Sequence, residues 1–599
     1  HLIIISLILV SQIGTESFKD TKIKDIIIKC DKNLDLNKSS VFEDCNELRL
    51  ISIIGNKSIS SIGSKFFKNC NTLKFISLEN DIEVCEFCFE NCNSLKTFPF
   101  DKIRSIGKSA FRCCSNLSGE VYYWGDSILD DAFSSCSKIK SISFKNDIEI
   151  GSNVFWGTTS LKTIGFISKN NTCRSNSFSG CNNELIIYTN GYSLTNGDTE
   201  KVFSNSEITI CPDYKLVLNS YGNIMLTEYA GTATDIHIPE CLKIYEIGEK
   251  AFYCKQFIRS VYIPDSVEYI DEKAFSMDMN LETLKGGKNV LFIKDDAFYN
   301  CKKLKDISSM ESIYSIGEYS FSWTGIESLS LPQTITTIED CAFFCCKQLK
   351  EIELPRMCFF VSAGCFYLCE NLERCIINDR CRKIMDSAFF GCTKLNHLYL
   401  PISVNTIEDD SLPSNTIVYC EPNASFIDIV HKLFGNTVIP NYKVFNKTLV
   451  DYQSSTGYDY IDSNNQKVIE IPNVVEEIRS SEAYFGGVFK DNREAQTYIL
   501  PKYLKVIDQN SFYNSWANKI IMPNNMQYIG ANAFNKCTSL KEITIPDGLE
   551  TIETNTFFQT RCVGYKIPNS VTEIKSGAFW HCDLLKSVYI PDTVTNIAS

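Results

Sequence analysis

The chain is poor in the features that metal enzymes, membrane proteins and nucleic-acid-binding proteins need. Its 599 residues include only five histidines, and no apolar run reaches the roughly 18 residues of a membrane-spanning helix. Lys and Arg number 59 against 72 Asp and Glu, which gives a formal net charge of −13. Because this excess repels phosphate groups, nucleic acid is not an expected partner. Apolar residues make up 44% and charged residues 22% of the chain, which is typical of a soluble folded protein.

The motifs of common catalytic sites are missing as well. The sequence contains no G-x-S-x-G, no G-x-G-x-x-G and no protein-kinase motif. None of the histidines lies in H-E-x-x-H or beside a cysteine pair at zinc spacing. Gly107-Lys108-Ser109 resembles the end of a phosphate-binding loop, but Lys102 stands where that loop requires its first glycine. We therefore predict neither an enzyme nor a cofactor or metal site.

Cysteine, in contrast, is abundant, with 28 residues. Twelve of them follow a phenylalanine by three residues, and Thr158, Thr324, Thr560 or Asp278 takes the same place elsewhere. A position that accepts Cys or Thr calls for a small, weakly polar side chain, which a buried thiol satisfies. We predict a ladder of free structural thiols; disulfides or metal binding among some of them are the alternative. The twelve are Cys45, Cys70, Cys92, Cys114, Cys136, Cys181, Cys301, Cys346, Cys369, Cys392, Cys537 and Cys582.

The strongest signal is a repeat of 22 to 23 residues anchored by a phenylalanine, usually preceded by alanine. The shared frame is L-x-x-I-x-I/L-P-x-x-V/L-x-x-I-x-x-x-A-F-x-x-C-x-x-L. A central run of anchors comprises Phe252, Phe275, Phe298, Phe321, Phe343, Phe366 and Phe389. The runs before and after it comprise Phe42, Phe67, Phe89, Phe111, Phe133, Phe155 and Phe178, then Phe512, Phe534, Phe557 and Phe579.

Each part of the frame has a physical role. The segment I-x-I/L alternates apolar and polar residues, which predicts a strand with one buried face, and the proline after it ends the strand because it has no N–H. The A-F-x-x-C segment predicts a tight turn or a short helical piece that buries the aromatic ring. A single repeat cannot bury these groups, but stacked copies can. We therefore predict a right-handed, mainly β solenoid with Ile/Leu, Phe and Cys ladders inside.

The period and the placing of Ile-Pro, Ala-Phe and Cys resemble the BspA-like, Treponema pallidum-type, leucine-rich repeat. Proteins of that family are surface antigens and adhesins of some bacteria and of parasitic protozoa. The resemblance implies a non-catalytic cell-surface or secreted protein that binds protein or glycan ligands in adhesion or in host or matrix interaction. The alternative is a cytoplasmic leucine-rich repeat scaffold, because free thiols are easier to keep in a reducing compartment.

The period divides the chain into three arrays, at residues 18–184, 236–413 and 468–599, separated by two islands at residues 185–235 and 414–467. Both islands contain Pro-Asx-Tyr-Lys, at Pro212–Lys215 and at Pro440–Lys443. We expect each island to be a small β insertion that caps one array and starts the next.

Smaller irregularities lead to further expectations. Ala424–Phe434 is predicted as a short helix with Asn423 as its N-cap, and Ala483–Gly487 lengthens one repeat. The last residues stop inside a repeat, so the natural chain continues or its last coil frays. Membrane attachment is expected only through segments that are not present in this chain.

Residues 1–17 are predicted to be a signal peptide whose start is missing, because residues 2–10 have the length of an apolar signal core. A buried first strand is the alternative. Six Asn-x-Ser/Thr sequons are compatible with a secretory route: Asn37, Asn56, Asn116, Asn170, Asn423 and Asn446.

The predicted strands also define a candidate binding face. The residues on either side of the central apolar residue should be exposed, and leucine-rich repeat proteins commonly bind on this sheet. Such pairs are Ser141 and Ser143, Ser260 and Tyr262, Ser328 and Ser330, Glu351 and Glu353, His397 and Tyr399, Glu542 and Thr544, Ser587 and Tyr589. Among them we predict Tyr262, Glu351, Glu353, His397 and Tyr399 as ligand contacts, because exposed aromatic residues are typical of interfaces. A solvated β face, in which Tyr reflects strand propensity, is the alternative.

Overall fold

Each repeat of about 23 residues folds into one coil of a β-solenoid. In a coil of the middle array, Ser328–Ser330 is the strand of the alternating segment, and Thr337–Ile338 is a second, shorter strand after the proline. The chain then turns through Phe343 and Cys346, which are both fully buried. The predicted β-solenoid is confirmed.

The computed structural model describes most of the chain: residues 2–6, 13–30, 36–55, 59–78, 81–174, 176–182, 184–190, 209–414, 416–421, 424–425, 427, 430, 438–439, 442–445, 447–452, 460–461, 467–479 and 487–599. The coils form two units. The first comprises His1–Phe252 and Tyr262–Tyr269, and the second comprises Tyr253–Val261 and Ile270–Ser599. The boundary between the two units does not coincide with a boundary between the three predicted arrays. The division into three arrays stays a prediction.

The strands of the first unit are β1 Leu2–Ser6, β2 Asp25–Cys30, β3 Leu50–Gly55, β4 Ser61–Ile62, β5 Phe75–Leu78, β6 Ile82–Val84, β7 Ile103–Ile106, β8 Ser118–Tyr123, β9 Ser127–Ile128, β10 Lys138–Phe144, β11 Glu149–Ile150, β12 Thr163–Phe166, β13 Thr172–Cys173, β14 Ile186–Thr189, β15 Thr209–Cys211, β16 Tyr214–Leu218, β17 Ile224–Tyr229, β18 Asp235–His237 and β19 Glu246–Ile247. Two 3-10 turns also occur, at Phe100–Lys102 and Glu240–Leu242. Strands β20 Ser260–Ile263 and β21 Tyr269–Ile270 include residues of both units.

The strands of the second unit are β22 Thr283–Gly286, β23 Phe292–Ile293, β24 Ser315–Ile316, β25 Ser328–Ser330, β26 Thr337–Ile338, β27 Glu351–Glu353, β28 Phe360–Val361, β29 Arg374–Ile376, β30 Lys383–Ile384, β31 His397–Tyr399, β32 Thr406–Ile407, β33 Ile417–Tyr419, β34 Val438–Ile439, β35 Tyr442–Phe445, β36 Thr448–Tyr452, β37 Tyr460–Ile461, β38 Lys467–Glu470, β39 Glu477–Ile478, β40 Thr497–Ile499, β41 Val506–Ile507, β42 Lys519–Ile521, β43 Tyr528–Ile529, β44 Glu542–Ile543, β45 Thr551–Ile552, β46 Gly564–Lys566, β47 Glu573–Ile574, β48 Ser587–Tyr589 and β49 Asn596–Ile597.

Equivalent strands of successive coils pair in parallel, so that each residue lies beside its counterpart one repeat later. In the second unit, β27 pairs with β25 and β29, and Ile352 lies between Leu329 and Cys375. The first unit repeats this arrangement in a five-stranded sheet of order β15-β14-β12-β10-β8. This constant register turns every position of the repeat into a continuous column of side chains.

The phenylalanine anchors form one such column. Successive rings within each unit lie nearly parallel, with centroids 5.2 to 5.7 Å apart, in the range of favourable offset stacking. Two residues that the sequence analysis did not include extend the column. Phe18 stacks on Phe42 at 5.1 Å, and Phe489 stacks on Phe512 at 4.9 Å.

The segment around each anchor is a tight turn whose flanking residues have left-handed backbone conformations. Beside Phe343, for example, Cys341 and Cys345 have φ values of 54° and 56°. Such a conformation costs about 1–2 kcal/mol for a residue other than glycine. Backbone hydrogen bonds to the next coil offset this cost, because the N–H of Phe343 donates to Cys365 and that of Cys345 donates to Tyr367.

The thiol column is held by a recurrent hydrogen bond. The Sγ of Cys346 donates to the carbonyl of Phe321 in the preceding coil at 3.0 Å, and the other eleven cysteines of the predicted ladder make the same contact at 3.0 to 3.2 Å. Thr324 instead donates to the Phe321 carbonyl of its own coil, and its Oγ1 lies 3.3 Å from the Sγ of Cys346. The position therefore selects a small donor.

Each island contains an antiparallel hairpin. In the first, β16 pairs with β17, and in the second, β35 pairs with β36. Both hairpins have a bulge directly after the lysine of Pro-Asx-Tyr-Lys, between Lys215 and Leu216 and between Lys443 and Val444. The second hairpin strand then pairs in parallel with the next coil, through β19 and β39 respectively. Most residues of the predicted helix Ala424–Phe434, its cap Asn423 and most of Ala483–Gly487 lie outside the described residues.

At the amino end, β1 pairs in parallel with β2, and Leu2 lies beside Asp25. This offset corresponds to one repeat. Residues 7–12 lie outside the described part of the chain, and the signal peptide stays a prediction.

Candidate ligand-binding face

The five predicted contact residues are divided between the two units. Tyr262 belongs to the first unit, where its ring stacks on His237 with centroids 4.3 Å apart and its hydroxyl donates to Glu240 at 3.2 Å. The other four residues belong to the second unit. Tyr262 is half-buried, so part of its ring is accessible, but its polar atom already has a partner.

His397 and Tyr399 are engaged inside the second unit. The Nδ1 of His397 lies 2.9 Å from the hydroxyl of the buried Tyr419, and its Nε2 lies 3.4 Å from Glu470. Tyr399 is only 5% exposed, and its hydroxyl accepts a hydrogen bond from the N–H of Val444 at 3.2 Å. The prediction that Tyr399 lies on an open face is wrong, because the second island covers it.

The sheet is covered here because the chain folds back on it. After the second island, residues 473–476 lie on strand β29, and we call this contact the second elbow. Arg374 is 6% exposed and donates through Nε to the carbonyl of Asn473 at 2.9 Å. Its Nη2 donates to Glu476 at 2.8 Å and to the carbonyl of Val474 at 3.3 Å.

Several charges meet at the second elbow. Glu476 also lies 3.0 Å from the Nζ of Lys505 and 3.6 Å from that of Lys447. Burial alone would raise the pKa of the Glu476 carboxyl, but hydrogen bonds from Arg374 and Lys505 and the charge of Lys447 hold that pKa below its usual value. The ring of Tyr503 lies 4.2 Å from the guanidinium of Arg374, in cation–π contact.

The first unit contains an equivalent contact. Residues 240–243, which follow the first island, lie on β10 and β12, and we call this contact the first elbow. Ser143 is 5% exposed, and its Oγ donates to the carbonyl of Cys241. Ser141 is 6% exposed. The prediction that Ser141 and Ser143 lie on an open face is therefore wrong, and the reason is again that the next array folds back.

Beside the second elbow the sheet face stays open and forms a cleft of about 330 Å³. We call it the elbow cleft. Its floor consists of Ser328 and Ser330 on β25, which are exposed, and Glu351 and Glu353 on β27, whose side chains are 41% and 40% exposed. Arg374 on the neighbouring strand β29 continues the floor, and the opposite wall comprises Lys447, Glu476, Tyr503 and Lys505. Two of the predicted contact residues, Glu351 and Glu353, are thus brought together.

The polar groups of the elbow cleft differ in how far they are already paired. Glu353 binds the Nζ of Lys447 at 2.5 Å. Glu351 lies 3.9 Å from Nη1 of Arg374, which is too far for a hydrogen bond. Among the described residues, the carboxylate of Glu351, Nη1 of Arg374 and the two serine hydroxyls make no hydrogen bond, so they are candidates for ligand contact.

Metal binding has little support in the described part of the chain. Within it, no group of three or more His, Cys, Asp or Glu side chains is arranged to hold a metal ion. In the C-x-x-C pair at Cys85, Cys88 is fully buried in the alanine position of the repeat, and the Sγ of Cys85 lies 3.7 Å from Asn37. As for membranes, the described residues include no helix long and apolar enough to span one.

The repeat can be compared with known families. A model described as "BspA type Leucine rich repeat region (6 copies)" matches residues 4–118, 82–185, 225–326, 314–440 and 486–599. These matches cover well over half of the chain. The chain belongs to the BspA-type leucine-rich repeat family. A search of curated proteins finds no significant match to this BspA-type chain.

The chain is also similar to solved structures of leucine-rich repeat proteins, including ones from bacteria. A leucine rich cell surface protein from Faecalibacterium prausnitzii is 21% identical, covers 63% of this chain and 93% of its own, and has a TM-score of 0.27. The Treponema pallidum leucine-rich repeat protein is 20% identical, with coverages of 38% and 96% and a TM-score of 0.25. The pneumococcal vaccine antigen PcpA is 14% identical, with coverages of 73% and 85% and a TM-score of 0.20.

In the last BspA-type coils the sheet face is open along its length. Glu542, Thr544, Ser587 and Tyr589 are all exposed, as predicted, and Glu542 forms an ion pair with Lys519 at 2.5 Å. No segment like residues 473–476 is described beside this stretch, so its sheet face is flatter than the elbow cleft.

The residues that complete the elbow cleft were not predicted. Arg374 occupies the same face position as Glu351 in the coil before it and His397 in the coil after it. A third charged or polar residue at this position could have indicated that Arg374 belongs to the site. Glu476, Tyr503 and Lys505 come after the second island and line the cleft because the chain folds back. No feature of the repeat period encodes that approach.

Proposed function

We propose that the chain is a non-catalytic protein of the cell surface or the secreted fraction that binds protein or glycan ligands in adhesion. The observation that carries this proposal is the elbow cleft, where an open sheet face presents Ser328, Ser330 and Glu351 beside the buried Arg374. These side chains stand on paired strands, so a ligand meets groups that are already ordered.

The state of the thiols fits a surface protein as well as a cytoplasmic scaffold. Burial raises the pKa of ladder thiols such as Cys92, Cys114 and Cys301, and each Sγ–H is bound to a carbonyl. Because the thiolate is the reactive species, such thiols are slow to oxidise. A free-thiol ladder is therefore compatible with an oxidising compartment.

Location can be tested by labelling intact cells with an impermeant amine reagent and titrating thiols in native and denatured protein. We expect surface labelling, and we expect the ladder thiols to react only after denaturation. A chain that stays unlabelled on intact cells but is labelled after lysis would support the cytoplasmic scaffold instead.

Binding can be tested by adhesion of beads coated with the full chain to cells and to immobilised matrix proteins and glycans. Ser330→Phe, which fills the elbow cleft, should reduce adhesion at least tenfold. Glu542→Ala, on the open face of the last coils, is the matched control and should adhere normally. Failure of the unmodified chain to adhere to any of these surfaces would refute the binding function.

A further inference from the structure

We propose that the elbow cleft binds a neutral sugar residue, so that the ligand of this chain is a glycan. The inference rests on the proposed binding function and narrows it to one ligand class. It is carried by three features of the cleft: its charge balance, its unpaired donor and acceptor, and its size.

The charge balance disfavours an ionic ligand. Three carboxylates, those of Glu351, Glu353 and Glu476, line the cleft together with three cationic side chains, those of Arg374, Lys447 and Lys505. An anionic or a cationic ligand group would meet as many like as opposite charges at close range. A neutral polar ligand is attracted by both signs, because each hydroxyl donates one hydrogen bond and accepts others.

The unpaired groups are spaced for a hydroxyl. Nη1 of Arg374 and the carboxylate of Glu351 lie 3.9 Å apart, which is too far for a hydrogen bond. Neither group makes another hydrogen bond among the described residues. A hydroxyl between these groups would accept from Nη1 and donate to the carboxylate. Arg374 is 6% exposed and is fixed through Nε and Nη2, so Nη1 is held in place.

The dimensions of the cleft also suit a sugar. Its volume of about 330 Å³ lies near the lower limit of small-ligand sites, which suits a ligand of one or two sugar residues. Ser328 and Ser330 supply further hydroxyls on the floor, and Tyr503 adds a phenol on the wall, while its ring contacts the guanidinium of Arg374 at 4.2 Å and the Nζ of Lys502 at 5.3 Å. Polar groups on several sides match a ligand that carries hydroxyls in several directions.

The test uses the full chain on an array of neutral oligosaccharides built from glucose, galactose, mannose and N-acetylglucosamine. We expect binding to at least one of them and competition by the corresponding free methyl glycoside. Glu351→Ala should weaken this binding at least tenfold, and Ser330→Phe should abolish it. Glu542→Ala should bind like the unmodified chain, because that carboxylate lies on the same face position but outside the cleft.

Several results would overturn the inference. One is an absence of binding to every neutral sugar, and another is binding that Glu351→Ala and Ser330→Phe leave unchanged. If both variants weaken bead adhesion to a protein ligand and the methyl glycosides do not compete, the ligand is a protein. That result would overturn the sugar site while leaving the proposed binding function intact.

Discussion

In both units, the first Ile-Pro segment after an island lies on the sheet face of the array before it. The first elbow uses residues 240–243 and the second uses residues 473–476. At the first elbow the contact is small and mostly uncharged, since Ser143 donates to a backbone carbonyl and Gly165 faces Leu242. At the second elbow the buried guanidinium of Arg374 fills the space between the layers.

The difference shows how one packing arrangement yields either a closed or an open face. At Gly165 a Cβ atom would come within 3.1 Å of Leu242, so the two layers approach closely. At Arg374 the long side chain holds the layers apart, and the elbow cleft lies beside it. The size of one side chain on the face thus decides whether a ligand has room.

The largest effect is expected from Arg374→Ala, which leaves the carbonyls of Asn473 and Val474 without their donor and removes one of the three cations that pair with Glu476. Two unsatisfied carbonyls at about 1–3 kcal/mol each, together with the weaker pairing of Glu476, should lower the free energy of unfolding by about 3–5 kcal/mol. The corresponding charge at the first elbow, Lys243, pairs with Glu120 at 3.3 Å, and both side chains are more than a third exposed. Lys243→Ala should cost less than about 1 kcal/mol. Denaturant unfolding measures both, and equal losses would show that the elbows are equivalent.

A second large effect concerns Asp278, which takes the cysteine position of one coil in the second unit. Its carboxyl is fully buried, and its Oδ2 has no partner among the described residues. Burial raises the pKa of Asp278 from 3.8 to about 8. Between these values the folded state holds a proton that the unfolded state has released, so stability falls as pH rises.

Asp278→Cys should restore the ladder and raise the free energy of unfolding at pH 8 by about 2–5 kcal/mol. It should also remove the fall in the free energy of unfolding between pH 4 and pH 8. The pH dependence that remains below this range can then be assigned to other carboxylates, such as Glu476 of the second elbow. Thr324→Cys is the control and should change little, because Thr324 already has a hydrogen bond in the same position. A pH profile that Asp278→Cys leaves unaltered would contradict the assignment.

A third prediction concerns the close packing at the first elbow. Gly165→Val introduces methyl groups where Leu242 and the Cys241 carbonyl already lie within 3.3 Å of the added Cβ. Overpacking of this kind should cost about 1–3 kcal/mol and should raise hydrogen exchange at residues 240–243. In the second unit Ser330→Val points into the elbow cleft and should cost almost nothing. If Gly165→Val were tolerated equally well, close packing would not define the first elbow.

A fourth prediction is a pH dependence at the second elbow. The pKa of Glu476 is held below its usual 4.5, so its stabilisation is complete above that pH and is lost as pH falls through the folded value. Hydrogen-exchange protection at residues 473–476, taken relative to the intrinsic exchange rate at each pH, should therefore fall as the pH drops below 4.5 in the unmodified chain. Glu476→Gln should remove this dependence. Residues 240–243 should show a weaker one, because the Lys243–Glu120 ion pair of the first elbow is more than a third exposed on both sides.

The smallest effect is expected at Ser143. Ser143→Ala removes its hydrogen bond to Cys241 and should cost about 1 kcal/mol. Ser141 provides the matched control, because its buried Oγ has no hydrogen-bond partner among the described residues. Ser141→Ala should therefore be neutral or slightly stabilising in thermal unfolding. Equal losses for the two variants would mean that the Ser143 contact contributes nothing specific.

The interior of the coils could be predicted from the sequence, because the interior depends on contacts between neighbouring repeats. The ring of Phe343 lies where the repeat frame requires it, and Cys346 contacts the coil before it. Phe489 was missed although it precedes Phe512 by one repeat length, because the irregular Ala483–Gly487 segment obscured it. Phe489 nevertheless stacks on Phe512, so the aromatic column continues directly after the inserted residues in the sequence.

The candidate site was only partly predictable. Glu351 and Glu353 follow from strand alternation, which identifies the face of the sheet. The burial of Tyr399 and the approach of Glu476 depend on the direction in which the chain leaves the second island, and repeat periodicity carries no information about it. The shared Pro-Asx-Tyr-Lys segment pointed to a common hairpin, but not to the array folding back after it.

The hydrogen bond from each ladder thiol to the preceding coil makes most coils interchangeable modules. Every such coil presents a donor on one side and a phenylalanine carbonyl on the other, so the junction between any two of them is chemically the same. Duplication or excision of a whole coil within an array recreates that junction without a new contact. The arrays can therefore change length during evolution while the islands and elbows keep their form.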